Sequence, residues 1–172
     1  MDDEAPDQSP ELEPRDPTVS DLIALCEKLN EMGARYLVCG GFAIRAAGYA
    51  RHTKDIDLLV DMDLENEAKV FQALEILPDK AVRELDPGDM AKYVVVRVAD
   101  EVLVDLMGST SGIEYAEAAT QIVTREVGGV LIPFASPLLL WRMKRHTHRA
   151  KDAPDLLFLR QLLESEGITP PE

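Results

Sequence analysis

The sequence predicts a mixed α+β domain, a small mixed sheet flanked by helices with further helices at its C-terminal end. Two observations carry this reading. Short β-rich runs cluster in the middle of the chain, and segments with helical periodicity both precede and follow them. The 172 residues and 46% hydrophobic content suit one domain with a real core. Residues 1–17 are expected to be a disordered acidic tail, and 18–172 a single domain.

Taken in order, Thr18 or Ser20 can cap a first helix running to about Met32. Leu22, Leu25, Cys26 and Leu29 form its apolar stripe, and Gly33 is its stop. Tyr36–Cys39 reads as a strand ending in the Gly40-Gly41 turn, with a small-residue helical segment from Phe42 to Gly48 behind it. A polar approach, Arg51-His52-Thr53-Lys54, leads into Asp55-Ile56-Asp57 and the apolar run Leu58–Val60. Leu64 to Leu77 is expected to be helical, with Ala68, Phe71, Leu74, Ile76 and Leu77 inward and Pro78 ending it. A short strand at Ala81–Leu85 is possible from composition. Tyr93–Val98 and Val102–Met107 read as a hairpin, and a short helix spans about Glu114–Ala119. Strands near Gln121–Val127 and Val130–Pro133 flank Gly128-Gly129. Ser136-Pro137 starts a helix to about His146, and a last one covers Ala153–Ser165 before Gly167.

Charge narrows the function classes. The net charge is −14, and seven of the acids fall within residues 1–18 against the single Arg15. This field disfavours a broad nucleic-acid-binding surface. A local basic strip remains, because Arg142, Lys144, Arg145, Arg149 and Lys151 occupy ten residues without an acid. No apolar run is long enough to span a membrane, and the N-terminus has no secretory pattern, so a cytoplasmic location is expected. Cys26 and Cys39 sit in apolar contexts and are expected to be buried thiols.

The chemistry-bearing pattern begins with Asp55 and Asp57, which project from one strand face because side chains alternate with period two. Two carboxylates so placed repel each other unless a cation lies between them. Asp105 lies within Val102–Met107 between apolar neighbours, where a charge needs a partner. A divalent metal shared by Asp55, Asp57 and Asp105 would supply it, and such a site suits phosphoryl transfer. Gly40-Gly41 would let backbone approach phosphate oxygens. Asp61 and Asp63 read as turn and cap residues. His146 and His148 read as exposed, and Trp141 as core.

Together, Gly40-Gly41, Asp55-Ile56-Asp57 and Asp105 resemble the motif set of the polymerase-β-like nucleotidyltransferase superfamily. The likeness is closest to minimal bacterial and archaeal members, including AbiEii-like toxins of toxin–antitoxin systems. Ser136–Lys144 and Lys151-Asp152-Ala153-Pro154-Asp155 look like the C-terminal pattern of that group, a lysine-bearing helix and then basic residue–Asp–x–x–Asp. The resemblance implies the nucleotidyltransferase fold and transfer of a nucleoside monophosphate from a triphosphate. It implies Mg²⁺ or Mn²⁺ at Asp55, Asp57 and Asp105, with Asp105 a ligand or base. It implies triphosphate contacts from Gly40, Gly41 and Lys144, joined by Arg51, Thr53, Lys54 and Asp152. The acceptor could be RNA, a protein hydroxyl or a small molecule, and an antitoxin partner is possible. A catalytically silent module of the same fold is the alternative. Two departures stand out: Gly-Gly replaces the Gly-Ser of many active members, and Pro154 interrupts Asp-x-x-Asp. On the residues alone, Lys144 reads equally as part of a solvated helix face, and Asp152 and Asp155 as capping acids.

Overall fold

A computed structural model describes residues 13–172. Most of the expected acidic tail therefore lies outside the described residues. Residues 13–17 form no helix or strand, yet they are held down. The Arg15 backbone N–H donates to the Glu101 carbonyl, its guanidinium pairs with Asp21 at 2.7 Å, and Pro17 is buried.

Helix α1 (Val19–Glu31) begins with a complete capping box between Thr18 and Asp21 and buries the expected stripe of Leu22, Leu25, Cys26 and Leu29. Strand β1 (Tyr36–Cys39) follows and is buried along its length. Helix α2 (Gly40–Ala46) starts at the first glycine rather than after the second. Gly40 has φ +64°, so the reversal at the strand end and the helix start share one residue. Strand β2 (Asp55–Val60) leads to α3 (Leu64–Leu74), which Asp63 caps through the backbone N–H groups of Glu65 and Asn66.

Strands β3 (Val96–Ala99) and β4 (Leu103–Met107) form a hairpin at one edge of the main sheet. The small strands β5 (Ser109–Thr110) and β6 (Ile113–Glu114) make a separate hairpin before helix α5 (Tyr115–Ala118). Strands β7 (Ile122–Val127) and β8 (Val130–Ala135) flank the diglycine turn. Helix α6 (Pro137–Lys144) has Ser136 as its N-cap, and α7 (Ala153–Ser165) ends before Gly167 at φ +77°.

The main sheet runs β3-β4-β2-β1-β8-β7. It is mixed: β2–β4 and β1–β8 are parallel, and the other pairs are antiparallel. Leu37, Val38, Leu58 and Leu59 are fully buried on the central strands, as expected where helices cover the sheet. Helix α6 packs against α7, and Trp141 is core, with its indole N–H donating to the Pro171 carbonyl at 2.7 Å. Both cysteines are buried free thiols.

Three local expectations are corrected. Helix α3 stops at Leu74 and buries Asn66, Glu67, Val70, Ala73 and Leu74, while Ala68 and Ile76 are exposed. Asn66 goes inward because it serves three backbone groups: it accepts from the Arg35 N–H at 2.6 Å and donates to the Arg35 and Asp61 carbonyls. Glu67 likewise accepts from the N–H groups of Gly88 and Met90, at the start of the one-turn helix α4 (Asp89–Lys92). The segment around Ala81–Leu85 is a 3₁₀ turn, Ala81–Glu84, because the Asp100 carboxylate takes the N–H groups of Asp79 and Ala81 away from any strand ladder. Finally, Tyr93, Val94 and Val95 stay outside β3 and exposed.

Candidate active site

The sheet register builds the site. In the parallel pair β2–β4, Asp57 lies directly opposite Asp105, and Asp55 opposite Leu103. In β3–β4, Arg97 lies directly opposite Asp105. On the other side Cys39, the last residue of β1, pairs with Asp57. One level of the sheet therefore reads Arg97, Asp105, Asp57, Cys39, with Asp55 two residues away on the same face of β2 as Asp57.

The three carboxylates converge. Asp55, Asp57 and Asp105 each offer an oxygen, and these atoms all lie within 4.8 Å of one another. Burial first, and then the charges of Asp55 and Asp105, push the Asp57 carboxyl up to about 8. Asp105, only 7% exposed, has an ionic partner that the sequence reading missed. Arg97 holds both of its oxygens, Nε to Oδ1 at 2.7 Å and Nη2 to Oδ2 at 2.8 Å, and reaches Asp55 at 3.3 Å. The signal was present: in the Tyr93–Met107 hairpin, correct register puts an arginine across from a carboxylate that lacked a partner.

These groups line a cavity of about 510 Å³ that also takes in Gly40, Gly41, Arg51, Thr53, Lys54, Lys144 and Asp152. The ten residues expected to hold metal or triphosphate thus fall on one concavity. The glycines are there for space. A Cβ on Gly40 would stand 1.9 Å from Asp57 Oδ2, and one on Gly41 would stand 2.5 Å from Thr53 Oγ1. Gly41 therefore has no room for a serine side chain, because the Thr53 side chain already fills that space. Thr53 is 5% exposed, and its hydroxyl donates to the Asp55 carbonyl at 3.0 Å, anchoring the entry to β2.

The C-terminal pattern forms a second charged cluster. Lys144 Nζ is 3.0 Å from Asp152 Oδ1 and 3.5 Å from Asp155 Oδ2, and both carboxylates are buried. Thr147 and Arg149 also donate to Asp152, and Arg51 pairs with Asp155 at 2.9 Å. Burial raises the Asp152 carboxyl, but the bonds from Thr147 and Lys144 outweigh it and hold the group at about 2. Asp152 stands at the N-cap position of α7 without capping it, since its oxygens are spent on these partners. Pro154 lies in the first turn of α7, where a missing N–H costs nothing, so it leaves Asp152 and Asp155 on the same cluster. Lys54 and Lys151 also line the cavity and are exposed.

Comparison with solved structures places this architecture. A complex of ANT(2″)-Ia with adenylyl-2″-tobramycin matches with a TM-score of 0.57, covering 87% of this chain and 91% of that one at 16% identity. The chain has the nucleotidyltransferase fold. A candidate nucleotidyltransferase from Thermotoga maritima matches at 0.51, over 86% and 92% of the two chains, with 15% identity. An antigenic nucleotidyltransferase-like protein from Paracoccidioides brasiliensis also matches at 0.51, over 84% and 74%, with 16% identity. No family sequence profile matches, and no curated protein does. Within the nucleotidyltransferase fold the chain keeps the expected mixed sheet, and no helix among the described residues is long and apolar enough to cross a membrane.

Proposed function

We propose that this protein is a metal-dependent nucleotidyltransferase that moves a nucleoside monophosphate from a nucleoside triphosphate to an acceptor hydroxyl. The observation that carries the reading is the convergence of Asp55, Asp57 and Asp105 at the wall of a cavity whose rim is basic. The donor set fits a hard divalent cation, because all the ligand atoms are carboxylate oxygens, and burial together with their mutual repulsion raises Asp57. Mg²⁺ or Mn²⁺ held by these three would polarise the α-phosphate and offset the charge on the leaving group.

The chain's own residues do the rest. Lacking a Cβ, Gly40 and Gly41 let Asp57 and Thr53 pack directly against the start of α2, which keeps the triad at the cavity wall. Lys54 and Lys151 are its exposed cationic contacts, whereas Lys144 acts first as the counter-ion of Asp152 and Asp155. The acceptor oxygen bonds to the α-phosphorus as the bridge to the β-phosphate breaks, pyrophosphate leaves, and the acceptor proton passes to a triad carboxylate. The acceptor is an RNA 3′ end, a protein hydroxyl or a small molecule. ATP as donor, cytoplasmic action and an antitoxin partner belong to this same reading.

Thermal shift with each nucleoside triphosphate, with and without Mg²⁺ or Mn²⁺, tests the proposal. Metal-dependent stabilisation that disappears in Asp55→Asn/Asp57→Asn is expected, and no nucleotide response overturns it. A second reading, a nucleotide- or partner-binding module without turnover, is favoured by the hold of Arg97 on two triad carboxylates. Incubation with labelled triphosphates and cell extract separates the two, since only an enzyme transfers label.

A further inference from the structure

The geometry points to Arg97 as a fixed counter-charge of Asp105 that limits the nucleotide-free triad to a single divalent ion. This inference rests on the metal reading above and concerns a residue that reading does not use.

Backbone register, rather than a flexible loop, sets the position of Arg97. It stands directly across β3–β4 from Asp105, and Asp105 stands directly across β2–β4 from Asp57. Its guanidinium is bidentate on Asp105, the strongest arrangement available to this pair, and the same Nη2 reaches Asp55. Asp57 receives no such bond from Arg97. Lys144 also acts on Asp57, but its ammonium is bonded to Asp152 and Asp155, so the cation bonded to the triad itself stands on the β3 side and leaves the Asp55–Asp57 side for a metal.

Formal charge points the same way. Counted with all three carboxylates ionised, as they are when they hold a metal, the triad and one guanidinium leave two negative charges, which one divalent ion neutralises. A second ion would leave the site positive by two unless phosphate came with it, and like charges at these separations repel strongly away from bulk water. Each Asp105 oxygen retains a lone pair beyond the one that Arg97 uses, so Asp105 can touch the single ion without releasing the arginine. Arg97 is a positioning residue. It acts through Asp105, orienting the carboxylate and setting how much cationic charge the site accepts.

The test is a Mn²⁺ titration of the full chain without nucleotide, reading free Mn²⁺ by electron paramagnetic resonance. The wild type and Arg97→Lys are expected to bind one equivalent, lost in Asp55→Asn, and Arg97→Gln to bind two. Arg97→Ser replaces the glutamine variant if circular dichroism shows that the latter does not fold. Two equivalents on the wild type overturn this inference and leave the proposed function standing, as does a single equivalent on the neutral variants. No Mn²⁺ on any variant overturns both.

Discussion

Asp57 and Asp105 face each other across a parallel strand pair, and no residue lies between them in the register. Adjacent strands run about 4.8 Å apart, so the two carboxylates cannot both ionise cheaply in a half-buried site. Burial first, and then the charges of Asp55 and Asp105, raise the Asp57 carboxyl to about 8, which makes stability depend on pH. Below the usual carboxylate range both the folded and unfolded forms hold the proton. Between about pH 4 and pH 8 the unfolded chain releases it while the folded one keeps it, so this group's contribution falls as pH rises. We predict that metal-free Asp57→Asn melts roughly 3–8 °C above the wild type at pH 8 and level with it near pH 4. Melting curves across that range check it, and a constant difference sinks it.

The glycine pair offers a steric prediction. Gly40→Ala forces a methyl into Asp57 and strains a positive φ, so it is expected to cost about 2–4 kcal/mol in chemical denaturation. Gly41→Ser is expected to cost about 1–3 kcal/mol because it meets Thr53. Adding Thr53→Ala should recover part of that loss, giving a coupling of roughly 0.5 kcal/mol or more in a double-mutant cycle. Simple additivity would show that the two side chains do not compete for the same space.

Lysines at the cavity should divide into two kinds. Lys144→Met leaves the carboxylates of Asp152 and Asp155 buried with one cation fewer, and about 2–4 kcal/mol of stability is expected to go. Lys54→Ala and Lys151→Ala should leave the melting temperature nearly unchanged while weakening triphosphate binding several-fold by calorimetry. Equal destabilisation by all three would remove the distinction.

Away from the site, Asn66→Ala deletes one acceptor bond and two donor bonds to backbone in a fully buried setting. Urea denaturation is expected to show a loss of about 1–3 kcal/mol, with no effect on nucleotide or metal binding. Loss of binding at intact stability would contradict that.

The path from sequence to site was legible wherever the signal was local. The capping box at Thr18, the buried stripe of α1, the proline at the start of α6 and the alternation that aligns Asp55 with Asp57 all depend on residues within one or two turns or along one strand. Asp105 was legible for a related reason: a charge amid apolar residues needs a partner. The inward turn of Asn66 and Glu67 was not, because their backbone partners lie in other segments. Periodicity alone favoured the apolar Ala68 and Ile76 instead.

By itself the sequence determined which strands carry acids, where a glycine pair ends β1, and that Asp55 and Asp57 share a face. Chain geometry within a single strand is enough for that. Tertiary structure decided that Arg97 rather than a metal alone serves Asp105, that Thr53 occupies the space beside Gly41, and that Lys144 is held by Asp152 and Asp155. Each of these joins residues on different elements. Strand register and helix packing set such distances, and neither can be read from spacing along one segment.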